Sequence, residues 1–168
     1  GGSPLCAEIW GLIRDRRHFG QMAPLTELML FAADRTQHVR GVILPALEAG
    51  KAVVCDRYTD STVAYQGYGR GLNLGTISRL NETATGGLTP DRTFVIDVSV
   101  EEARRRGLGA ATDRMEMEQT AFYERVREGF LRIAASDPGR VRVFDGREGV
   151  GRVSEKVRAV VEAALSAV

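Results

Sequence analysis

The chain has 168 residues, 43% of them hydrophobic, and a formal net charge of +1. That length fits one domain with its own core. Near-neutral charge argues against a nucleic-acid binder, which needs a basic face, and no apolar run approaches the ~20 residues of a membrane span.

Gly1-Gly2-Ser3-Pro4 is a turn without the basic-then-apolar layout of a signal peptide, so a cytoplasmic setting is the default expectation. Cys6 and Cys55 make no metal spacing, and Cys55 reads as a reduced core residue. Leu5 to Arg14 has helical spacing, and Asp15 to Gln21 is a polar connection. Leu25 to Leu47 reads as one long helix, with Thr26 as a cap and Pro45 bending it near Gly41. Phe31 and Arg35, four apart, share a face of that helix. They are either a core ring with a surface ion pair, or a ring stack and a polar head aimed at one ligand.

Gly50 ends the helix, and Ala52 to Cys55 is a continuous apolar run, as in a strand covered on both faces. It stops at Asp56-Arg57, which puts a carboxylate and a guanidinium at a strand's carboxyl end, where open α/β sheets bind ligands. Asp60 or Ser61 can cap the next helix, on which Thr62, Tyr65 and Gln66 fall on one face. That set suits a small polar ligand bearing an anion. Gly67 to Gly71 reads as a flexible loop, a weak signal for phosphate binding.

Asn73 to Thr85 is a helix closed by Gly86-Gly87, and Thr93 to Val98 is a second buried strand. Glu101 to Arg106 starts a helix broken by Gly107 to Thr112, and Asp113 to Ser136 is helical again. The segment 104–116, with Arg104, Arg105, Arg106 and Arg114, reads either as a lid or as solvated arginines. Val141 to Phe144 is a third strand and Val150 to Ala167 a closing helix. Alternating strands and helices predict an α/β fold with a parallel sheet.

Several stretches together resemble bacterial thymidylate kinases: Gly1 to Leu5, Leu30 to Arg35, Asp56-Arg57-Tyr58 through Tyr65-Gln66-Gly67, Gly86 to Asp91, and Asp113 to Glu116. The resemblance covers nearly the whole chain. It implies a P-loop nucleoside-monophosphate-kinase-like parallel sheet with helices on both faces, in a single domain over 1–168. It implies transfer of the γ-phosphoryl of ATP to dTMP, with Mg²⁺, in a homodimer touching through the apolar face of the 25–47 helix. Carried over by position, Phe31 would stack on thymine and Arg35 would bond its O4. Arg57 would hold the phosphate, Thr62 and Gln66 would face the base, and Tyr65 would crowd the sugar 2′ position. Asp56 would sit near Mg²⁺ through water, and Arg106 and Arg114 would neutralise the transferred group.

The sequence departs from the family in three places. It holds no G-x-x-x-x-G-K-[ST], since Lys51 and Lys156 lack the glycines and the hydroxyl. Family members carry that P-loop, and the first strands, ahead of the point where this sequence starts. Trp10 stands where a phosphate arginine is usual, with Arg14 one turn away, and Gly107 to Thr112 has no arginine. The expectation is a dTMP-binding chain that is inactive and poorly folded alone, because the strands at 52–55 and 93–98 lack their shared neighbour. A catalytically dead nucleotide-binding paralogue with a regulatory or scaffold role is the alternative.

Overall fold

Ser3 opens the first helix. Its hydroxyl accepts from the Cys6 amide at 3.2 Å and Pro4 occupies the first turn of α1, Pro4–Arg14. In this computed structural model, which describes residues 2–107 and 113–166, the next element is a 3₁₀ turn, Arg16–His18, capped by Asp15. The long helix starts at Pro24 rather than at a Thr26 cap. It comprises α2, Pro24–His38, a π-helical turn, Val39–Ile43, and α3, Leu44–Glu48. Pro45 has no amide to give to Gly41, and the wide turn just before it absorbs that mismatch.

The expected strand at 52–55 is not formed. The segment carries no regular secondary structure and is bonded to no strand among the described residues, and Val54 is 97% exposed. An apolar run becomes a strand only when it is paired to a partner edge, and neither β1 nor β2 pairs with this one. After it come α4, Thr59–Thr62, and a π-helical segment, Val63–Gly69. Neither Asp60 nor Ser61 caps α4. The Asp60 carboxylate instead accepts from Arg140 Nη1 at 2.6 Å and Nη2 at 3.0 Å, and from the Thr93 hydroxyl at 3.0 Å.

Gly67 to Gly71 is not a flexible loop either. Gly67 and Gly69 are buried inside the π-helical segment. A Cβ on Gly69 would sit 2.7 Å from Phe122 and 2.9 Å from Val126, so glycine is there for close packing. Helix α5, Leu74–Thr85, is capped by Asn73 and closed by left-handed Gly86. Strand β1, Thr93–Asp97, leads to α6, Val100–Arg105, capped by Ser99.

The stretch expected as one helix from Asp113 is a 3₁₀ turn, Met115–Met117, then α7, Thr120–Ser136. Asp113 makes the break by accepting from the amides of Met115 and Glu116 at 2.8 and 3.1 Å. Strand β2, Val141–Asp145, pairs parallel to β1, with Thr93 opposite Val141 and Asp97 opposite Asp145. Helix α8, Val150–Leu165, follows. The core lies where α7 crosses the 63–69 segment, built from Ala64, Val100, Phe122, Tyr123 and Val126. Residues 108–112 of the expected lid lie outside the described residues.

Candidate active site

Helix α2, the 55–57 tip, the 61–66 segment and residues 113–116 surround a hollow of about 220 Å³. Phe31, Arg35, Asp56, Arg57, Thr62, Tyr65 and Gln66 all line it. Residues 62, 65 and 66 reach it together because they share one helical face.

Arg35 is 8% exposed, and its Nη1 donates to the Arg57 carbonyl at 3.0 Å. Its guanidinium lies 4.7 Å from the Tyr58 ring centroid, while its Nε is buried with no hydrogen-bond partner among the described residues. Burial pulls its pKa below the usual arginine value. A largely buried cation lining the hollow is suited to a carbonyl or an anion entering it.

Arg57 has φ +65°, a left-handed conformation unusual for a side chain larger than glycine. Its carbonyl also accepts from Cys55 Sγ at 3.3 Å, and its guanidinium lies 4.9 Å from the Tyr65 ring centroid. The backbone twist thus delivers the charge into the hollow from an exposed tip.

Gln66 is fully buried, and its Nε2 donates to Glu27 at 2.8 Å. Glu27 also takes Arg70 Nη2 at 2.9 Å and Arg114 Nη2 at 2.6 Å. Burial alone would raise the Glu27 pKa, but the bonds from Arg70, Gln66 and Arg114 outweigh it and hold it below the usual carboxylate range.

Two expected residues are outside the hollow. Arg106 is bound to Glu102 Oε1 at 2.5 Å and to the Gly146 carbonyl at 3.0 Å. Arg114 is buried, with its Nε donating to the Ile13 carbonyl at 2.7 Å and its Nη2 held by Glu27. Either would have to break a charged pair to reach a phosphoryl group there, and the 113–116 stretch presents Asp113, Met115 and Glu116 instead.

The hollow also contains residues that the sequence reading placed elsewhere or passed over. Cys55 lines it rather than a core. Trp10 stands edge-on to Phe31, ring centroids 5.7 Å apart, and Arg14 lies 5.8 Å from the Trp10 ring. Tyr123 donates to the Met115 carbonyl at 2.7 Å, and burial pushes its pKa up to about 12, so it stays a neutral phenol. Its helical spacing with Phe122 and Val126 reads as core, and only the fold shows its polar end at the hollow. Asp34 and His38, on the face of Arg35, could have been found from the i, i+4 spacing.

The family profile described as Thymidylate kinase matches residues 4–157. The thymidylate kinase of Gloeobacter violaceus is 46% identical over 169 residues, covering 99% of this chain and 79% of the relative. That of Nostoc punctiforme is 46% identical over 162 residues, covering 94% and 77%. The crystal structure of thymidylate kinase from Ehrlichia chaffeensis superposes with a TM-score of 0.74 at 35% identity, covering 96% of this chain and 76% of that one. With a profile over most of its length, near-complete alignment to these relatives and a shared α/β fold, the chain belongs to the thymidylate kinase family.

Proposed function

We propose that the hollow is a dTMP site and that the chain serves the transfer of the ATP γ-phosphoryl to dTMP. An oxygen of the dTMP 5′-phosphate bonds to the γ-phosphorus as the bond to ADP breaks, giving dTDP. The supporting observation is that Phe31, Arg35 and Arg57, from two separate segments, open into one hollow. Phe31 stacks on the base, the Arg35 guanidinium donates to the thymine O4, and Arg57 takes the phosphate. Thr62 and Gln66 face the base, and Tyr65 crowds the sugar 2′ position.

Among the described residues no three Asp, Glu, His or Cys side chains converge on one metal-sized point. Asp56, exposed at the edge of the hollow, fits a magnesium ion that keeps its waters and takes phosphate oxygens as ligands. When bound, such an ion neutralises charge on the phosphoryl oxygens. Arg106 and Arg114 belong to this reading only if their present pairs open.

Nothing in these residues forms a Walker cradle for the β- and γ-phosphates. The 168 residues by themselves therefore bind dTMP without turning it over. The reading places the protein in the cytoplasm; among the described residues no helix is long and apolar enough to cross a membrane. It includes a homodimer through α2, where Leu25 and Met29 are exposed, and sedimentation equilibrium tests that part.

Calorimetry with dTMP, UMP and AMP tests the ligand. Binding of dTMP in preference to both, lost in Arg35→Ala, is the expected result, and equal affinity for all three would refute it. Turnover of ATP and dTMP by these residues alone would overturn the statement on activity.

A further inference from the structure

Glu27 sits behind the hollow rather than in it, 1% exposed on α2. Besides Gln66 Nε2 at 2.8 Å and Arg114 Nη2 at 2.6 Å, it takes Arg70 Nε and Nη2 at 3.1 and 2.9 Å. A carboxylate offers only acceptors. The Gln66 amide therefore has one workable orientation, with its NH₂ toward Glu27 and its Oε1 on the opposite side. Gln66 itself lines the hollow.

We propose that Glu27 is a positioning residue that locks the Gln66 amide so that an acceptor oxygen, not a donor, is presented to the base in the hollow. With Arg35 supplying a donor from α2, the site shows a donor and an acceptor to the ligand. That pattern complements an imide edge, a carbonyl beside an N–H, as in thymine. It opposes an aminopyrimidine edge, an amine beside a bare ring nitrogen, as in cytosine. The choice between the two edges thus depends on a carboxylate that touches neither. A Glu27 that served only as a counter-ion for Arg70 and Arg114 would affect stability and leave the choice of base unchanged.

The inference rests on the reading that the hollow takes dTMP. The test is calorimetric titration of dTMP and 5-methyl-dCMP into the purified protein, as wild type, Glu27→Gln, Gln66→Met and the double variant. A glutamine at 27 can donate to Gln66 Oε1 and lets the amide turn over. Preference for dTMP over 5-methyl-dCMP is expected to fall about tenfold in Glu27→Gln, the ~1.4 kcal/mol of one neutral hydrogen bond. It should fall as much in Gln66→Met and no further in the double variant. Unchanged preference in Glu27→Gln, with dTMP still bound, overturns the proposal and leaves the dTMP reading standing. A further drop in the Gln66→Met background overturns it as well, because Glu27 would then act by another route. A wild-type protein that binds no dTMP overturns both. If Glu27→Gln does not fold by circular dichroism, an unchanged preference in Gln66→Met is enough to overturn the proposal.

Discussion

The helical wall at residues 63–69 and the apolar run at 52–55 are separated by seven residues in sequence and differ in almost every physical respect. In the wall, Gly69 lets α7 close onto it and Gln66 is tied to a buried carboxylate. At 52–55, Val54 projects into solvent, and nearby in fold type β1 and β2 leave Ile96 and Val143 46% and 44% exposed. A helix satisfies its own backbone and needs only side-chain contacts to finish a wall. A strand needs a second strand before its side chains can be covered. The wall of the hollow is thus built from the chain's own residues, while the sheet is a bare parallel pair among the described residues.

The sharpest way to break that contrast is to remove the buried carboxylate. Glu27→Leu leaves the buried Arg114 without its carboxylate and takes one of two from Arg70, which keeps Glu118 at 2.6 Å, and urea denaturation should show a loss of about 3–5 kcal/mol. Acid should act the same way. Glu27 titrates below its ordinary 4.5 when folded. Its contribution is therefore complete above that value and is lost as pH falls through the lower folded one. Thermal melts in acid should show a steeper decline for wild type than for Glu27→Gln. A loss below ~1 kcal/mol in Glu27→Leu would mean the arginines find other partners.

Gly69→Val comes next, because its Cβ would lie under 3 Å from Phe122 and Val126. Overpacking of this kind should cost about 1–3 kcal/mol in the same assay. Arg140→Met removes the charged partner of the largely buried Asp60 and unties the start of β2 from α4, leaving the Thr93 hydroxyl on that carboxylate, for about 1–2 kcal/mol. The smallest effect belongs to the bare end, where Val54→Ser should stay within ~0.5 kcal/mol. Hydrogen exchange should find the 52–55 amides open early and those of 63–69 protected. Equal protection in both would erase the distinction between the two regions.

What the sequence made legible was local. Gly86 closes α5 where the glycine pair stands, and Pro45 marks its own distortion; the caps were read less well, since Thr26, Asp60 and Ser61 cap nothing while Ser3, Asn73 and Ser99 do. The shared face of Thr62, Tyr65 and Gln66 follows from spacing alone. What was not legible depends on distant partners. Val53 and Val54 have strand composition but no described neighbour. Gly67 and Gly69 look like a loop until Phe122 and Leu74 are placed against them. Glu27 reads as an ordinary surface charge, since its arginine partners lie 43 and 87 residues away. Arg114 looked free for chemistry for the same reason.

Arg57 holds a turn of the main chain that its side chain disfavours, and Arg35 is one of the two groups bracing its carbonyl. Shortening Arg35 would therefore loosen its neighbour as well as remove its own donor. On the proposed dTMP reading, a bound nucleotide would feel one truncation at the nucleobase and the phosphate together, the two arginines closing on it as a single caliper.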